Sequence, residues 1–446
     1  MRWFFRSLWL VWFGGSLLVG AEIDLTVLAS ADLHGETAIL RGPVAAAVAA
    51  ARRGNPDGVL YCDAGDAAQG AFAVWQTRGA GVATLLGNAG CDVWAPGNHE
   101  LEFGFPAFAA MVREFPNAVL AANLEAPELA AKVLPWKMFT RRGVKIAVIG
   151  LMLPAMNNCF PVERGRFETA ASEAPLRRSV GAALDAGAEV VVLVRHGGVY
   201  SGGENLYTLL SRVPGVDLAV GAHTHQGEPG RRIAGSWYIQ PPAHGEALAR
   251  AVIVFDDVRR RIVRIESGLL PLPAVPEFAG EETRPARPLA GPAEDFTARA
   301  MRRATGAAVA IHAHADRGAL RGLAENSSPT VLDYFRVFPY YDAVVTAELT
   351  PEEIRAILAE YTAFAFRRKQ WLTASGVNFK LRKGTLSELA FPPPERLRYR
   401  VAMTSYAAAG AGGALPETRK IWRKNLDYGT VGAAPPLLQC VLDASL

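Results

Sequence analysis

Short hydrophobic runs recur through the first part of the chain, and most of them end in glycine and polar residues. Stretches of helical composition, such as residues 170–186, separate the runs. Strands that alternate with helices in this way predict an α/β domain. Ligands collect at the carboxyl ends of the strands in such domains. The predicted strands span residues 23–29, 58–62, 91–95, 144–151, 189–194, 217–220, 237–240, 249–255 and 262–267.

The residues that follow several of these strands carry most of the candidate chemistry. Five of the eight histidines stand at such turns, next to carboxylates and an asparagine. A single histidine beside a glycine is commonly an ordinary turn residue, and the stretch 94–102 can also be read as a capped turn before a helix at 105–114. Five such placements favour a metal site instead. The residues are Asp32, His34, Asp66, Asn98, His99, His196, His223 and His225.

The donor atoms limit the metal and indicate a reaction. Carboxylate oxygen, amide oxygen and imidazole nitrogen, without thiolate, suit zinc, manganese, iron or cobalt, whereas calcium would need more carboxylates. The set is too large for one ion and fits two if one carboxylate bridges them. Two ions about 3.5–4 Å apart can hold a phosphoryl oxygen and generate hydroxide near neutral pH. The sequence therefore predicts phosphoester hydrolysis.

The length and the proline pattern predict two domains behind a leader. At 446 residues the chain exceeds the usual size of one hydrophobic core. Residues 1–21 carry Arg2 and Arg6 before a short apolar run, which is typical of a secretory signal peptide. A retained membrane anchor is the alternative, although the run is shorter than the roughly 20 residues that cross a bilayer. We expect a first domain at 22–268, a proline-rich linker and connecting helix at 269–305, and a smaller second domain at 306–446.

Charge and cysteine content narrow the class further. The chain has 47 basic and 43 acidic residues, a net charge of +4, which falls to +2 when the two leader arginines are removed. This balance indicates no nucleic-acid partner, and no later segment is apolar enough to span a membrane. Four cysteines, Cys62, Cys91, Cys159 and Cys440, are few and irregularly spaced. Cys62 and Cys91 lie in apolar runs, so we expect buried free thiols, with disulfides as the alternative in an oxidising compartment.

Five motifs in this order resemble the calcineurin-like metallophosphoesterase superfamily. They are Asp-x-His at 32–34, Gly-Asp at 65–66, Gly-Asn-His-Glu at 97–100, the strand-terminal His196, and Gly-x-His-x-His at 221–225. The two-domain arrangement behind a leader resembles the secreted 5′-nucleotidase family, whose members include cyclic-nucleotide phosphodiesterases and nucleotide-sugar hydrolases. The resemblance is strong to about residue 268 and weaker beyond. It implies a four-layer α-β-β-α sandwich followed by a smaller α+β domain.

The resemblance also implies a role for each site residue. Asp32, His34, Asp66 and His225 would hold a first zinc or manganese ion, and Asp66, Asn98, His196 and His223 a second, with Asp66 as the bridge. His99 would act on the transferring phosphoryl group or protonate the leaving oxygen. The family usually has Asp three residues after this histidine. Here Glu102 takes that place, and its longer arm can still reach the imidazole.

Substrate residues in the second domain are matched less closely. The family holds a nucleobase between two aromatic rings, for which Tyr340 and Tyr406 stand in matching segments, with packing in a small core as the alternative. Arg317 matches a phosphate-binding arginine, but the glycines of its loop are absent. The ribose-binding Asp of the family aligns with Gly412. We therefore expect the reaction type to be better determined than the substrate.

Three histidines lie outside this set. His244, in a Pro-Pro-Ala-His-Gly stretch, could approach the site, although an ordinary loop position is favoured. His312 and His314 could form a further metal site. With only two ligands and no third nearby, we expect instead that both simply point outward from one face of a strand.

These observations predict a periplasmic or secreted two-metal phosphomonoesterase of the 5′-nucleotidase type that acts on nucleotides. Another phosphoester, such as a 2′,3′-cyclic nucleotide, a nucleotide sugar or a sugar phosphate, is the alternative within enzymes. A binding protein that retains the metal centre without turnover is an alternative of another class. The complete ligand set together with His99 argues against it.

Overall fold

The computed structural model describes residues 22–156, 166–275, 285–289, 295–314, 317–391, 396–426 and 434–444. The predicted leader at 1–21 and Cys159 lie outside this part. Within it, no helix combines the length and apolar character needed to cross a membrane. Cys62, Cys91 and Cys440 are buried free thiols, which confirms the prediction for the first two.

Seventeen strands precede the linker in the described part of the chain. In chain order they are β1 (Glu22–Ser30), β2 (Val59–Asp63), β3 (Val93–Trp94), β4 (Ala118–Leu120), β5 (Leu124–Glu125), β6 (Val133–Leu134), β7 (Trp136–Arg141), β8 (Val144–Leu151), β9 (Glu168–Thr169), β10 (Val190–Arg195), β11 (Tyr200–Ser201), β12 (Glu204–Asn205), β13 (Leu218–Val220), β14 (Glu228–Ile233), β15 (Ser236–Gln240), β16 (Ala247–Asp256) and β17 (Arg261–Pro271).

Two sheets form the centre of the first domain. One has the order β17-β16-β1-β2-β3-β4-β6 and the other β14-β15-β13-β10-β8-β7. The strands from β1 to β6 in the first sheet are parallel, as are β15, β13, β10 and β8 in the second. Alternate residues of β1, namely Leu25, Val27 and Ala29, enter the core between the sheets. Leu28 packs on the outer face instead, so the second half of β1 is buried on both sides, and its sequence is continuously apolar from Val27 to Ala29.

Helices cover the outer face of each sheet. Those of the first domain are α1 (Thr37–Ile39), a π-helical turn (Leu40–Val44), α2 (Ala45–Gly54), α3 (Phe72–Thr77), α4 (Val82–Asn88), α5 (Phe105–Glu114), α6 (Glu173–Asp185) and α7 (Leu206–Arg212). In α5, the residues Phe105, Phe108 and Val112 recur at helical spacing and are buried against the first sheet's outer core. Helices α6 and α7 pack on the second sheet. The four-layer α-β-β-α sandwich is thereby confirmed.

The second domain is built on a smaller sheet. Its strands are β18 (Val309–His314), β19 (Val344–Leu349), β20 (Trp371–Ser375) and β23 (Tyr399–Thr404), in the order β19-β23-β18-β20, with a separate hairpin of β21 (Asn378–Arg382) and β22 (Thr385–Ala390). Its helices are α8 (Phe296–Thr305), α9 (Arg317–Glu325), α10 (Val331–Val337), α11 (Pro351–Arg368), α12 (Ser405–Ala408), α13 (Pro416–Asn425) and α14 (Leu437–Ala444). Cores lie on both faces of the sheet.

Strand β17 is longer than its predicted span of 262–267. Strand β17 continues past residue 268, because its backbone pairs with β16 as far as the Ala247–Pro271 pair. Helix α11 runs to Arg368, because buried Thr362 and Ala365 continue its buried face. Helix α11 begins as its sequence indicates, with the Thr350 side chain accepting the Glu353 N–H.

Candidate metal centre

The polar residues that follow β1, β2, β3, β10 and β13 converge at one edge of the sandwich. Two groups of possible ligand atoms form there, each with its atoms within 4.8 Å of one another. The first group contains Asp32, His34 and His225, and the second contains Asp66, His196 and His223. Sequence reasoning predicted all six residues, and the structure brings all six together.

The first group is arranged around two facing imidazoles. His34 Nε2 lies 2.9 Å from His225 Nε2, and Asp32 Oδ1 lies 3.9 Å from that same His225 atom. The Asp32 carboxylate accepts the backbone N–H of His223 at 2.8 and 3.0 Å. This bond ties the first group to the loop that supplies a residue of the second.

The second group is arranged around His196. Its Nδ1–H donates to the carbonyl oxygen of Ala64 at 2.7 Å, which directs Nε2 toward the site. That Nε2 lies 3.1 Å from Asp66 Oδ2 and 3.0 Å from Asn98 Oδ1. Asn98 Oδ1 therefore lies beside the second group. Burial lowers the pKa of His196, but Asp66 outweighs burial and raises that pKa to about 9. In the metal-free protein Nε2 therefore carries a proton that Asp66 and Asn98 can accept, and a bound cation would replace that proton.

Tight turns of unusual conformation hold these side chains. Five of the residues, Asp32, His34, Asp66, His223 and His225, have φ between 47 and 72°. This left-handed region costs a residue other than glycine on the order of 1–3 kcal/mol and is enriched at functional sites. Backbone bonds maintain it: the Asp32 N–H donates to Gly65 O at 2.8 Å, and the His34 N–H donates to Asp66 O at 2.9 Å. Only glycine fits at 65, because a Cβ would lie 2.3 Å from Gly97 N.

Glu100 is a site residue that sequence reasoning missed. The carboxylate is completely buried and accepts four backbone N–H groups. Oε2 accepts those of Asp66 and Gly97 at 2.9 and 2.6 Å, and Oε1 accepts those of Ala67 and Ala68 at 2.8 and 3.2 Å. Glu100 thus joins the two loops that carry Asp66 and Asn98. Its place in the Gly-Asn-His-Glu motif was the available signal, but local sequence does not show that its side chain turns inward.

His99 lies beside the two groups and contacts Asp66 from outside. Its Nε2 is 4.0 Å from Asp66 Oδ2, and its Nδ1 is 2.5 Å from Glu102 Oε2. The longer glutamate arm therefore reaches the imidazole. Burial lowers the pKa of His99, but Asp66 and Glu102 more than offset this and raise that pKa to about 9. His99 therefore carries a proton at neutral pH.

Burial and neighbouring charges lower the pKa of some other ionisable groups in the site and raise that of others. Burial is the largest cause that lowers the pKa of His34 and of His223, each to about 4, so both rings are neutral near pH 7. Burial raises the pKa of Asp32 to about 7. Burial also opposes the charge on Asp66, but His196 and His99 outweigh it and hold the Asp66 pKa below its usual range. The neutral histidines keep nitrogen lone pairs available for a cation.

The two predicted stacking residues are exposed, so packing in a small core is not their arrangement. Tyr340 is 55% exposed and stacks on the His99 ring, with centroids 6.0 Å apart and an interplanar angle of 15°. Tyr406 is 49% exposed, and its backbone N–H donates to Asp342 Oδ1 at 3.0 Å. Arg317 begins α9, and its side chain lies outside the described part of the chain.

His244 lies closer to the site than its sequence favoured. Its ring centroid is 5.3 Å from that of His34 and 5.9 Å from that of His225. The physical reason is a backbone bond, since the His244 N–H donates to Asp32 O at 2.8 Å and draws this loop against the first group. His312 lies on β18 opposite Thr373 and belongs to no ligand group among the described side chains. His314 lies opposite Trp371 on the same strand, and its side chain is outside the described part of the chain.

Comparison with known proteins agrees with this geometry. Residues 25–227 match the calcineurin-like phosphoesterase family. The snake venom 5′-nucleotidase of Gloydius brevicauda is 25% identical over 290 residues, which cover 55% of this chain and 48% of the venom protein. The chain thus spans about half the length of that relative.

Solved structures extend the likeness to both domains. A candidate 5′-nucleotidase from Staphylococcus aureus gives a TM-score of 0.74 at 16% identity, over 94% of this chain and 96% of that chain. The 5′-nucleotidase precursor of Thermus thermophilus gives 0.66 at 18% identity, over 95% and 96%. At these identities the likeness shows the two-domain fold. The chain therefore contains a region similar to calcineurin-like phosphoesterases and shares the two-domain fold of these solved 5′-nucleotidases.

Proposed function

We propose that the protein is a metal-dependent phosphomonoesterase that hydrolyses nucleotides. The observation that carries this proposal is the meeting of two ligand groups at one edge of the sandwich, with His99 and its carboxylate partner beside Asp66. A binding protein would need no protonated imidazole at this position.

The residues present fit two divalent cations. Asp66 Oδ2 and Asn98 Oδ1 both lie within 3.1 Å of His196 Nε2. A cation bound among these three atoms would take the place of the His196 proton and satisfy all three at once. The facing Nε2 atoms of His34 and His225 provide a second such position. Zinc or manganese bound there would supply Lewis acidity toward a phosphoryl oxygen and lower the pKa of water. The proposed ligands are Asp32, His34, Asp66 and His225 for one ion, and Asp66, Asn98, His196 and His223 for the other.

His99 and Glu102 would handle the proton. Glu102 accepts from His99 Nδ1, which leaves the Nε2–H directed toward Asp66 and the site. From there it can donate to a phosphoryl oxygen or protonate the departing alkoxide, a role for which a positioned general acid contributes about 10²–10⁴-fold. The charge of Asp66 and Glu102 keeps that proton on His99 at neutral pH.

The nucleotide part of the proposal rests on the exposed aromatic rings. Tyr406 is the sharper probe, because Tyr340 also touches His99. Tyr406→Ala should weaken nucleotide binding by roughly 1–3 kcal/mol, the scale of base–aromatic stacking. Hydrolysis of p-nitrophenyl phosphate, which has no base, should barely change, and Tyr406→Phe should keep the nucleotide KM.

The outcomes separate the alternatives. Equal loss on both substrates would make Tyr406 structural, and no change on either would favour another phosphoester. A protein that binds two ions yet turns over no phosphoester in a panel would refute the enzyme proposal itself. Export to the periplasm or medium, which residues 1–21 predict, belongs to the same proposal and is checked by locating the processed protein.

A further inference from the structure

The second domain touches the site through three consecutive residues. We name residues 339–341 the docking segment. Three of its contacts lead to residues of the site: the backbone carbonyl of Pro339, the Tyr340 ring and the backbone N–H of Tyr341. The carbonyl and the N–H each reach a site residue through one intervening polar side chain. The Tyr340 ring contacts His99 directly.

Glu102 is the first of these intervening side chains. One carboxylate oxygen, Oε2, pairs with His99 Nδ1 at 2.5 Å, while the other, Oε1, accepts the backbone N–H of Tyr341 at 2.5 Å. One oxygen of the Glu102 carboxylate is therefore bonded to the first domain and the other to the second domain. An aspartate arm would be shorter by one carbon–carbon bond, about 1.5 Å, and could not keep both bonds without a shift of the backbone.

Gln69 is the second intervening side chain. Its Nε2 donates to the carbonyl oxygen of Pro339 at 3.3 Å, and its Oε1 lies 3.0 Å from His34 Nδ1. An amide that donates to a carbonyl with its nitrogen must present its oxygen to the imidazole. His34 then carries its proton on Nδ1 and keeps the Nε2 lone pair toward His225.

The Tyr341 ring anchors the docking segment to the first domain. It lies 5.4 Å from Trp75 and 5.2 Å from Phe103 between ring centroids, and the Arg78 guanidinium lies 5.5 Å from its centre. All three partners belong to the first domain. Nearby, Phe72 of α3 packs with the second-domain core and lies 5.5 Å from Phe335. Helix α3, with Phe72 and Trp75, therefore forms a main contact surface for the second domain, which we call the seat.

From these contacts we propose that Tyr341 is a positioning residue for catalysis: its ring seats the docking segment, and its backbone N–H orients Glu102 and, through it, His99. The inference rests on the proposed phosphoesterase function. It makes the geometry of the proton donor depend on the docked second domain, in addition to any contact that domain makes with substrate.

The test compares Tyr341→Ala with Tyr341→Phe. The Ala variant removes the ring from its seat and should lower kcat for p-nitrophenyl phosphate on the order of 10–100-fold, the effect of a misplaced catalytic group. KM and the two bound metal ions should be retained. The Phe variant keeps the ring contacts and should restore kcat. A nucleobase-stacking residue would instead change the nucleotide KM alone.

A spectroscopic readout works on metal-free protein. A short His99–Glu102 bond should give a low-field proton resonance, assigned by its loss in His99→Ala. The signal should weaken or move in Tyr341→Ala and return in Tyr341→Phe. Unchanged kcat and an unchanged resonance in Tyr341→Ala would overturn the proposal. Wild-type protein without phosphoesterase activity would refute the proposed function, while the resonance would still test the docking segment.

Two further variants guard against misfolding and indirect effects. Trp75→Ala removes part of the same seat from the first-domain side and should reproduce the loss of kcat and the change in resonance. In a Glu102→Asp background the shorter carboxylate cannot bond to His99 and Tyr341 at once, so the link between them is already broken and adding Tyr341→Ala should lower kcat no further. Full additivity of the two substitutions would overturn the proposed route through Glu102.

Discussion

Glu100 offers the most direct test of how the site is built, because one side chain joins two ligand loops. Glu100→Ala would leave the N–H groups of Asp66, Ala67, Ala68 and Gly97 without their acceptor. Each buried donor left unsatisfied costs about 1–3 kcal/mol. Water can enter the vacated space and satisfy some of the four. We therefore expect the free energy of unfolding to fall by roughly 3–5 kcal/mol, the range seen when a buried charged partner is removed.

Glu100→Gln should lower the free energy of unfolding by a smaller amount. The amide keeps the size of the side chain, but its NH₂ group must face two of the four donors in place of an accepting oxygen. The expected loss is about half that of the Ala variant. Both variants should also bind less metal, because the loops carrying Asp66 and Asn98 lose their common acceptor.

The assay is urea unfolding of metal-free protein, so that metal binding does not contribute, followed by metal analysis of reloaded protein. Glu128→Ala is the matched control, since its carboxylate is 47% exposed in a surface pair with Arg166 and should change stability by less than about 1 kcal/mol. The reasoning fails if Glu100→Ala behaves like this control in stability and still binds two ions.

Three further predictions follow from the same geometry. Asp66→Ala should abolish phosphoesterase activity and lower the metal content to one ion or none; two ions per chain by metal analysis would contradict its bridging role. His99→Ala should lower kcat by about 10²–10⁴-fold with metal content unchanged, and an equal loss of metal would place His99 among the ligands. Glu102→Gln removes a charge that raises the pKa of His99. Because the protonated ring is the active form, activity is lost as pH rises through that pKa, so the alkaline limb of the kcat profile should move to lower pH. An unmoved limb would assign it to another group.

The sequence by itself predicted the layered fold and the candidate ligand residues. Strand β8 was predicted at its observed bounds, and helix α5 likewise, because continuous apolar runs and helical spacing are local signals. The ligands were predictable for a related reason. Each stands within five residues of the end of a strand. The carboxyl ends of parallel strands meet at one edge, so position along the chain implied proximity in space.

Tertiary structure decided what depends on distant partners. Nothing near Glu100 shows that its carboxylate is buried beneath the residue 66–68 loop, more than 30 positions away. His244 reaches the site through a backbone bond to Asp32, which sequence spacing cannot reveal.

The link between the domains is the clearest case. Glu102 could be matched to a catalytic partner from its spacing after His99, but its second bond joins it to Tyr341, 239 residues later in the chain. Local propensity and periodicity describe which faces are apolar and where chains turn. They do not show which distant backbone N–H will bond to the second oxygen of the Glu102 carboxylate, because that depends on how the two folded domains pack against each other.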